Sequence, residues 1–169
     1  YSAGKNNEAS ALFNKISLYV SVLVFAIMAN MAFFSKELIW IWTGNIELAG
    51  KACIYLPIIA MSAAMLSLAM IPYNIAVANG YTKLNNFLGL YSLLVTLPGY
   101  WFATKEFGAI GAAYVFCGVQ TMITMIYFYL INKKFIKIKS IITLYLNRML
   151  FPLLISLTVA SVFSFVSSG

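Results

Sequence analysis

The sequence predicts an all-α, polytopic membrane protein with five transmembrane helices. Of its 169 residues, 63% are apolar and only 9% are charged, whereas about a quarter of the residues of a typical soluble domain are charged. The charged residues leave five uncharged runs, each at least 20 residues long. A helix of about 20 apolar residues, rising about 1.5 Å per residue, crosses the roughly 30 Å of membrane hydrocarbon. Composition and charge spacing together therefore predict helices that cross a lipid bilayer.

The five runs define the predicted helices in chain order. They span residues 16–35, 52–82, 84–104, 107–132 and 149–169. The first run is too long for a secretory signal peptide, and no cleavage site follows it. The predicted organisation is a lead-in, a four-helix portion, a basic loop and an additional transmembrane helix, at residues 1–15, 16–132, 133–148 and 149–169.

Two of the predicted loops are short, and two are longer, at residues 35–51 and 133–148. Because residues 81–83 and 104–106 leave almost no connecting chain, we expect consecutive helices to be antiparallel neighbours. In the loop at residues 35–51, Thr43-Gly44-Asn45 indicates a turn. We expect Asn45 to cap the second transmembrane helix, with Glu47 in its first turn against the positive end of the helix dipole.

The distribution of cations predicts that the N-terminus and the lead-in are cytoplasmic. With that orientation the inner loops hold eight cations, namely Lys5, Lys15, Lys83, Lys133, Lys134, Lys137, Lys139 and Arg148. The outer loops hold three, Lys36, Lys51 and Lys105. Inner loops of membrane proteins are enriched in Lys and Arg, and Trp side chains gather at the membrane surfaces. Trp40, Trp42 and Trp101 are therefore expected at the outer headgroups.

The missing residue types exclude several chemistries. The chain has no His and no Asp, and its four Glu residues are scattered. A Ser-His-Asp triad, a His-ligated metal and a paired-carboxylate site are therefore not available. We expect neither an enzyme nor a bound metal or cofactor.

The net charge of +7 is interpreted through the membrane rather than through nucleic acid, because the basic residues stand at helix ends. A cation near an anionic leaflet contributes about 1 kcal/mol of binding. We expect anionic phospholipids to contact the basic cluster Lys133, Lys134, Lys137, Lys139 and Arg148. An alternative is that this cluster also gathers an anionic lipid-linked substrate.

Amides inside the predicted spans are the candidate lining of a polar cavity. The deepest are Asn30 and Gln120, and Asn74 lies in the second span. An amide that faces lipid costs several kcal/mol, so each needs a partner. Hydrogen bonding between helices is the other explanation for all three.

Two helix breaks are candidate hinges. Pro72 lies inside the second span, and Pro98 is followed by Gly99 in the third. A proline in a helix interior removes one backbone hydrogen bond and bends the helix. Interrupted helices occur at transporter cavities, although proline kinks are also common in membrane proteins of other kinds.

An ordered set of short motifs resembles the C-terminal half of polysaccharide flippases. These proteins export lipid-linked oligosaccharide repeat units, such as those of O-antigen, and belong to the MATE exporter superfamily. The motifs are Lys-Glu-Leu-Ile-Trp-Ile-Trp-Thr-Gly at 36–44, Ala-Gly-Lys-Ala-Cys-Ile-Tyr-Leu-Pro-Ile-Ile-Ala at 49–60, Asn-Gly-Tyr-Thr-Lys at 79–83 and Phe-Gly-Ala-Ile-Gly-Ala-Ala at 107–113. The resemblance covers residues 2–148.

The resemblance implies part of a two-lobe transporter in the bacterial inner membrane. Such a protein moves an undecaprenyl-diphosphate-linked glycan to the outer leaflet by alternating access. The chain is then expected to be a fragment whose partner is the missing N-terminal lobe. Three alternatives remain: a cation-coupled multidrug exporter of the same fold, a non-transporting membrane scaffold subunit and, ranked last, a membrane glycosyltransferase or polymerase.

Overall fold

The computed structural model describes residues 2–136 and 145–167, and in these ranges all regular structure is helical. The α-helices are α1 (Ser2–Phe33), α2 (Ser35–Thr43), α3 (Ile46–Ala52), α4 (Leu56–Ala78), α5 (Thr82–Phe107), α6 (Ala109–Ile131) and α7 (Phe151–Ser167). Two five-residue π-helical turns accompany them. One, Asn132–Ile136, continues α6, and the other, Leu146–Leu150, leads into α7.

Four of the helices are long and apolar enough to cross a membrane. Their candidate spans are Ala11–Phe33, Leu56–Ala78, Thr82–Phe107 and Ala109–Ile136. These spans coincide, within a few residues at each end, with the first four uncharged runs. The chain is therefore an all-α polytopic membrane protein, as the sequence predicts.

The fifth predicted helix begins two residues later than the sequence indicates. It forms as α7, but its apolar part is only Phe151–Phe165. The 17 residues of α7 extend about 25 Å at about 1.5 Å per residue. The predicted run began at residue 149, but residues 149 and 150 belong to the π-helical turn. Absence of charge alone does not show where a regular α-helix begins.

The predicted outer loop is a pair of short helices, α2 and α3. The side chain of Asn45 accepts a hydrogen bond from the backbone N–H of Leu48 at 3.0 Å, so Asn45 is a helix cap as expected. The expectation of which helix it caps is wrong. Asn45 caps the seven-residue α3, and the membrane helix α4 begins separately at Leu56, with Pro57 in its first turn.

The helices pack in the spatial order α7, α1, α4, α6, α5. The central helix is α4, whose two sides meet α1 and α6. Phe25, Leu68 and Phe128, one from each of these three helices, are fully buried in the core. The expectation that consecutive membrane helices are neighbours is thus correct for α1 and α4 and for α5 and α6, but α4 packs mainly against α6 rather than α5.

Two glycines, Gly99 and Gly111, allow the helices α5 and α6 to approach closely. A single residue, Gly108, connects them at φ +64°, a left-handed conformation that favours glycine. A Cβ on Gly111 would collide with the backbone of Ala103, lying 2.8 Å from its carbonyl carbon. A Cβ on Gly99 would lie 2.8 Å from a methyl carbon of Val115. The pairs 103–111 and 99–115 show that the two helices are antiparallel.

Candidate functional site

A groove among the described residues lies between α1 and α4. Its volume is about 660 Å³, and it is closed at one end by the π-helical turn that follows α6. We call it the α1–α4 groove. Its walls are formed by Leu12, Phe13, Ile16, Val20, Ser67, Met70, Ile71, Asn74, Ile75, Ala78, Asn79, Phe135 and Ile136. Residues 12–20 of α1 thus face residues 67–79 of α4. Residues 24–31 face 56–67 in a second groove, of about 200 Å³, so the two helices are antiparallel.

The polar side chains of the α1–α4 groove all come from α4. Ser67, Ile71, Asn74 and Ala78 follow the three- and four-residue spacing that places residues on one helix face. The Ser67 hydroxyl donates to the Ala63 carbonyl at 2.9 Å, and the Asn79 amide donates to the Ile75 carbonyl at 2.8 Å. Within residues 2–136 and 145–167, the Asn74 amide makes no hydrogen bond to protein. Among the described residues, Asn74 is therefore the amide of this wall with both donors unpaired, whereas Asn79 has used one of its two.

A cluster of one lysine and two aromatic rings stands at the rim of the groove. The Lys134 ammonium lies 3.1 Å from the centre of the Tyr81 ring and 5.5 Å from that of Phe135. The two rings meet edge to face, with their centres 6.0 Å apart. Phe135 is itself part of the groove wall. The ammonium is therefore held at the mouth of the groove by cation–π attraction, which is strongest within about 6 Å of a ring centre.

Other lysines lie at the same end of the bundle. Lys15, Lys83 and Lys133 are exposed there, and the Lys133 ammonium lies 5.9 Å from the centre of the Tyr129 ring. We call this the lysine-rich end. Of the predicted lipid-contact residues, Lys137 and Lys139 lie outside the described residues, and Arg148 belongs to the π-helical turn before α7.

The three amides predicted to line one cavity lie in three different places. Asn74 lines the α1–α4 groove. Asn30 lies in another groove, of about 220 Å³, between α1 and α7, and its amide donates to the Ala26 carbonyl at 2.8 Å. Gln120 is 8% exposed within the packed part of α6. The α1–α4 groove and the groove between α1 and α7 therefore each hold one of the three amides, and Gln120 lines neither of them.

Two buried polar contacts join neighbouring helices. The Thr124 hydroxyl on α6 lies 2.9 Å from the Met65 carbonyl of α4 and 2.7 Å from the Gln120 carbonyl of its own helix. The Tyr127 hydroxyl donates to the side-chain oxygen of Asn85 on α5 at 3.2 Å. Sequence reasoning missed Asn85, because it stands two residues after Lys83 and resembles the polar edge of a span. The sequence feature that could have indicated a buried Asn85 is the pair of apolar residues on either side of it, Leu84 and Leu88, which are both buried.

The predicted hinge residues lie inside helices. Pro72 is fully buried in α4, and Pro98 lies inside α5. Because a proline has no N–H, Pro72 deprives the Leu68 carbonyl of its usual helical partner. Gly99 contributes to packing, since α6 leaves no room for a Cβ there.

A search of family models, of curated proteins and of solved structures found no match to this chain.

Proposed function

We propose that this chain is part of a two-lobe transporter that moves a lipid-linked oligosaccharide across the bacterial inner membrane by alternating access. The proposal joins the motif resemblance to the four apolar helices that are long enough to cross a membrane. The N-terminus of α1 and the lysine-rich end face the cytoplasm in this proposal, because eight of the eleven cations fall on that side. A second lobe completes the substrate cavity, for which Asn30 and Gln120 are the candidate residues from this chain.

The observation that supports the proposal most directly is the position of Pro72 inside the central helix, where it removes one backbone hydrogen bond. The first half of α4 packs against α1 and is held to α6 through the Met65 carbonyl. The half after Pro72 forms one wall of the open α1–α4 groove. The two halves therefore have different surroundings on either side of a weakened backbone. A change in the angle between them is a means of moving one part of a lobe while the other stays packed.

A leaflet-translocation assay tests this proposal. The full-length protein is reconstituted in liposomes with a fluorescent undecaprenyl-diphosphate-linked sugar, and the fraction that a membrane-impermeant quencher reaches is followed with time. We expect translocation by the wild type. Pro72→Ala should slow it about tenfold, equivalent to about 1.4 kcal/mol on the barrier. Its thermal stability should stay equal or rise, because alanine is a far better helix former than proline.

Pro57→Ala is the matched control, since Pro57 stands in the first turn of α4, where a proline removes no helical hydrogen bond. It should translocate like the wild type. A wild-type protein that leaves the labelled lipid in its original leaflet would support the scaffold alternative and contradict transport. Normal translocation by Pro72→Ala would contradict the role of Pro72 as a hinge, but it would remain consistent with transport.

A further inference from the structure

The α1–α4 groove changes in polarity along its length, and that change matches one kind of molecule. A cation stands at its rim, an amide with free donors lies within it, and apolar walls follow. We propose that the groove binds one anionic glycerophospholipid. Its phosphate meets Lys134, an ester carbonyl accepts from the Asn74 amide, and an acyl chain lies along α1 and α4. This site does not depend on transport.

The Lys134 ammonium is positioned for a phosphate. Lys134 is exposed, and its ammonium lies 3.1 Å from the centre of the Tyr81 ring. This contact holds the ammonium next to Phe135, which is part of the groove wall. An ammonium has three donors and a ring face occupies only one side of it, so donors remain for phosphate oxygens. The neighbouring Lys133 leans toward a different ring, that of Tyr129. Lys134 is thus the lysine that the ring geometry directs to this groove.

The position of Asn74 suits the ester groups of a phospholipid. Asn79 marks the end of α4 at the lysine-rich end, and Asn74 lies five residues deeper. Five residues of helix span about 7.5 Å, which is similar to the roughly 5–7.5 Å that the headgroup region adds on each side of the hydrocarbon. Asn79 already donates to Ile75, whereas the donors of Asn74 face the groove. Ester carbonyls lie just below the phosphate and supply the acceptor that this amide lacks.

The deeper walls suit an acyl chain. Ile16 and Met70, on opposite sides of the groove, are 43% and 47% exposed. Both lie within membrane-crossing segments, so a hydrocarbon chain can cover them. The charge at the rim selects an anionic rather than a zwitterionic headgroup, since a single anchored cation favours net negative charge. An isoprenoid chain would have no ester carbonyl for Asn74.

Lipid binding to the purified full-length protein tests the assignment. Native mass spectrometry in detergent measures the bound fraction of phosphatidylglycerol and of phosphatidylcholine added at equal concentration. We expect the wild type to hold one phosphatidylglycerol in preference to phosphatidylcholine. Lys134→Gln should reduce that preference about fivefold, which corresponds to the contribution of one cation near an anionic lipid. Asn74→Leu should weaken both lipids equally, because both carry ester carbonyls.

Lys83→Gln is the matched control. Lys83 is exposed at the same lysine-rich end, but among the described residues its ammonium has no ring contact like those that hold Lys134 beside Tyr81 and Phe135. Its variant should retain the wild-type preference, and Ala78→Phe, which fills the groove, should lower the bound fraction of both lipids. Equal binding of the two lipids by the wild type would overturn the proposal. So would an equal loss of preference in Lys134→Gln and Lys83→Gln, which would indicate only a diffuse attraction by the lysine-rich end.

Discussion

Gly111 stands at a close approach between α5 and α6. Its missing side chain lets the backbone of α6 rest on the backbone of α5 at Ala103. In a bilayer, lipid tails are as apolar as leucine, so helices associate through close packing rather than through exclusion of water. A small residue at such a position therefore stabilises the packing of membrane helices, as a large apolar side chain stabilises the core of a soluble protein.

Replacing Gly111 with alanine should destabilise the protein. The added Cβ meets backbone atoms, which cannot move aside as a side chain does, so we expect a loss of about 1–3 kcal/mol. Gly118→Ala is the control, because Gly118 lies on the same helix with no atom near its Cβ position. It should be neutral, or more stable by about 0.5–1 kcal/mol. Unfolding by SDS, followed by circular dichroism, measures both, and equal stability of the two variants would contradict the close approach.

At the scale of the element, α4 is fixed to its neighbours by few polar groups. Thr124 offers its hydroxyl to the Met65 carbonyl and so joins α6 to α4. Thr121, almost one turn earlier on α6, instead donates to the Cys117 carbonyl of its own helix at 2.8 Å. The Thr124 hydroxyl also lies 2.7 Å from the Gln120 carbonyl of its own helix, so both threonines contact their own helix and, of the two, Thr124 is the one that also contacts a neighbouring helix.

This difference predicts different effects of the same substitution. Thr124→Val keeps the side-chain shape but removes the bond to α4, and it should cost about 0.6–1.7 kcal/mol, the range measured for hydrogen bonds between membrane helices. Thr121→Val should change the free energy of unfolding by less than that. The same SDS titration compares the two. A larger loss for Thr121→Val would mean that the α4–α6 contact at Met65 is not the one that stabilises the pair.

The helices themselves were predictable because lysines mark their ends. Lys15 lies four residues after the start of the first span, Lys36 lies three residues after its end, and Lys83 is the second residue of the third span. A charge near the middle of the hydrocarbon is costly, so lysines collect near the helix ends. The cap at Asn45 was predictable from local chemistry, since its side chain bonds only three residues ahead. Both signals are local in sequence, and both describe where a helix begins or ends.

The packing and the site were not predictable in the same way. Leucine and isoleucine occur on every face of these helices, so hydrophobic pattern does not say that α4 meets α6 rather than α5. For the same reason, Asn30, Asn74 and Gln120 looked equivalent, although they lie in separate surroundings. The cluster of Tyr81, Lys134 and Phe135 joins a turn to a segment some fifty residues later. Only the fold brings those residues together.

At the scale of the whole molecule, the exposed apolar side chains of α5 show most clearly that the surroundings of this protein are lipid rather than water. It has 26 residues, but Leu84 and Leu88 are the buried ones among them. Large apolar side chains such as Phe87, Leu94 and Phe102 are each more than 60% exposed. In water such a surface would drive aggregation, whereas in a bilayer it faces lipid tails. The claim that α5 crosses the membrane therefore underlies the orientation, the transport proposal and the lipid site.

Cysteine labelling at the two ends of α5 tests that claim most directly. Lys83→Cys and Lys105→Cys are each placed in a full-length protein in which Cys53 and Cys117 have been replaced, and intact bacteria are treated with a membrane-impermeant maleimide. We predict labelling of Lys105→Cys in intact cells, and of Lys83→Cys only after the membrane is opened. Labelling of both in intact cells, or of Lys83→Cys alone, would contradict this account.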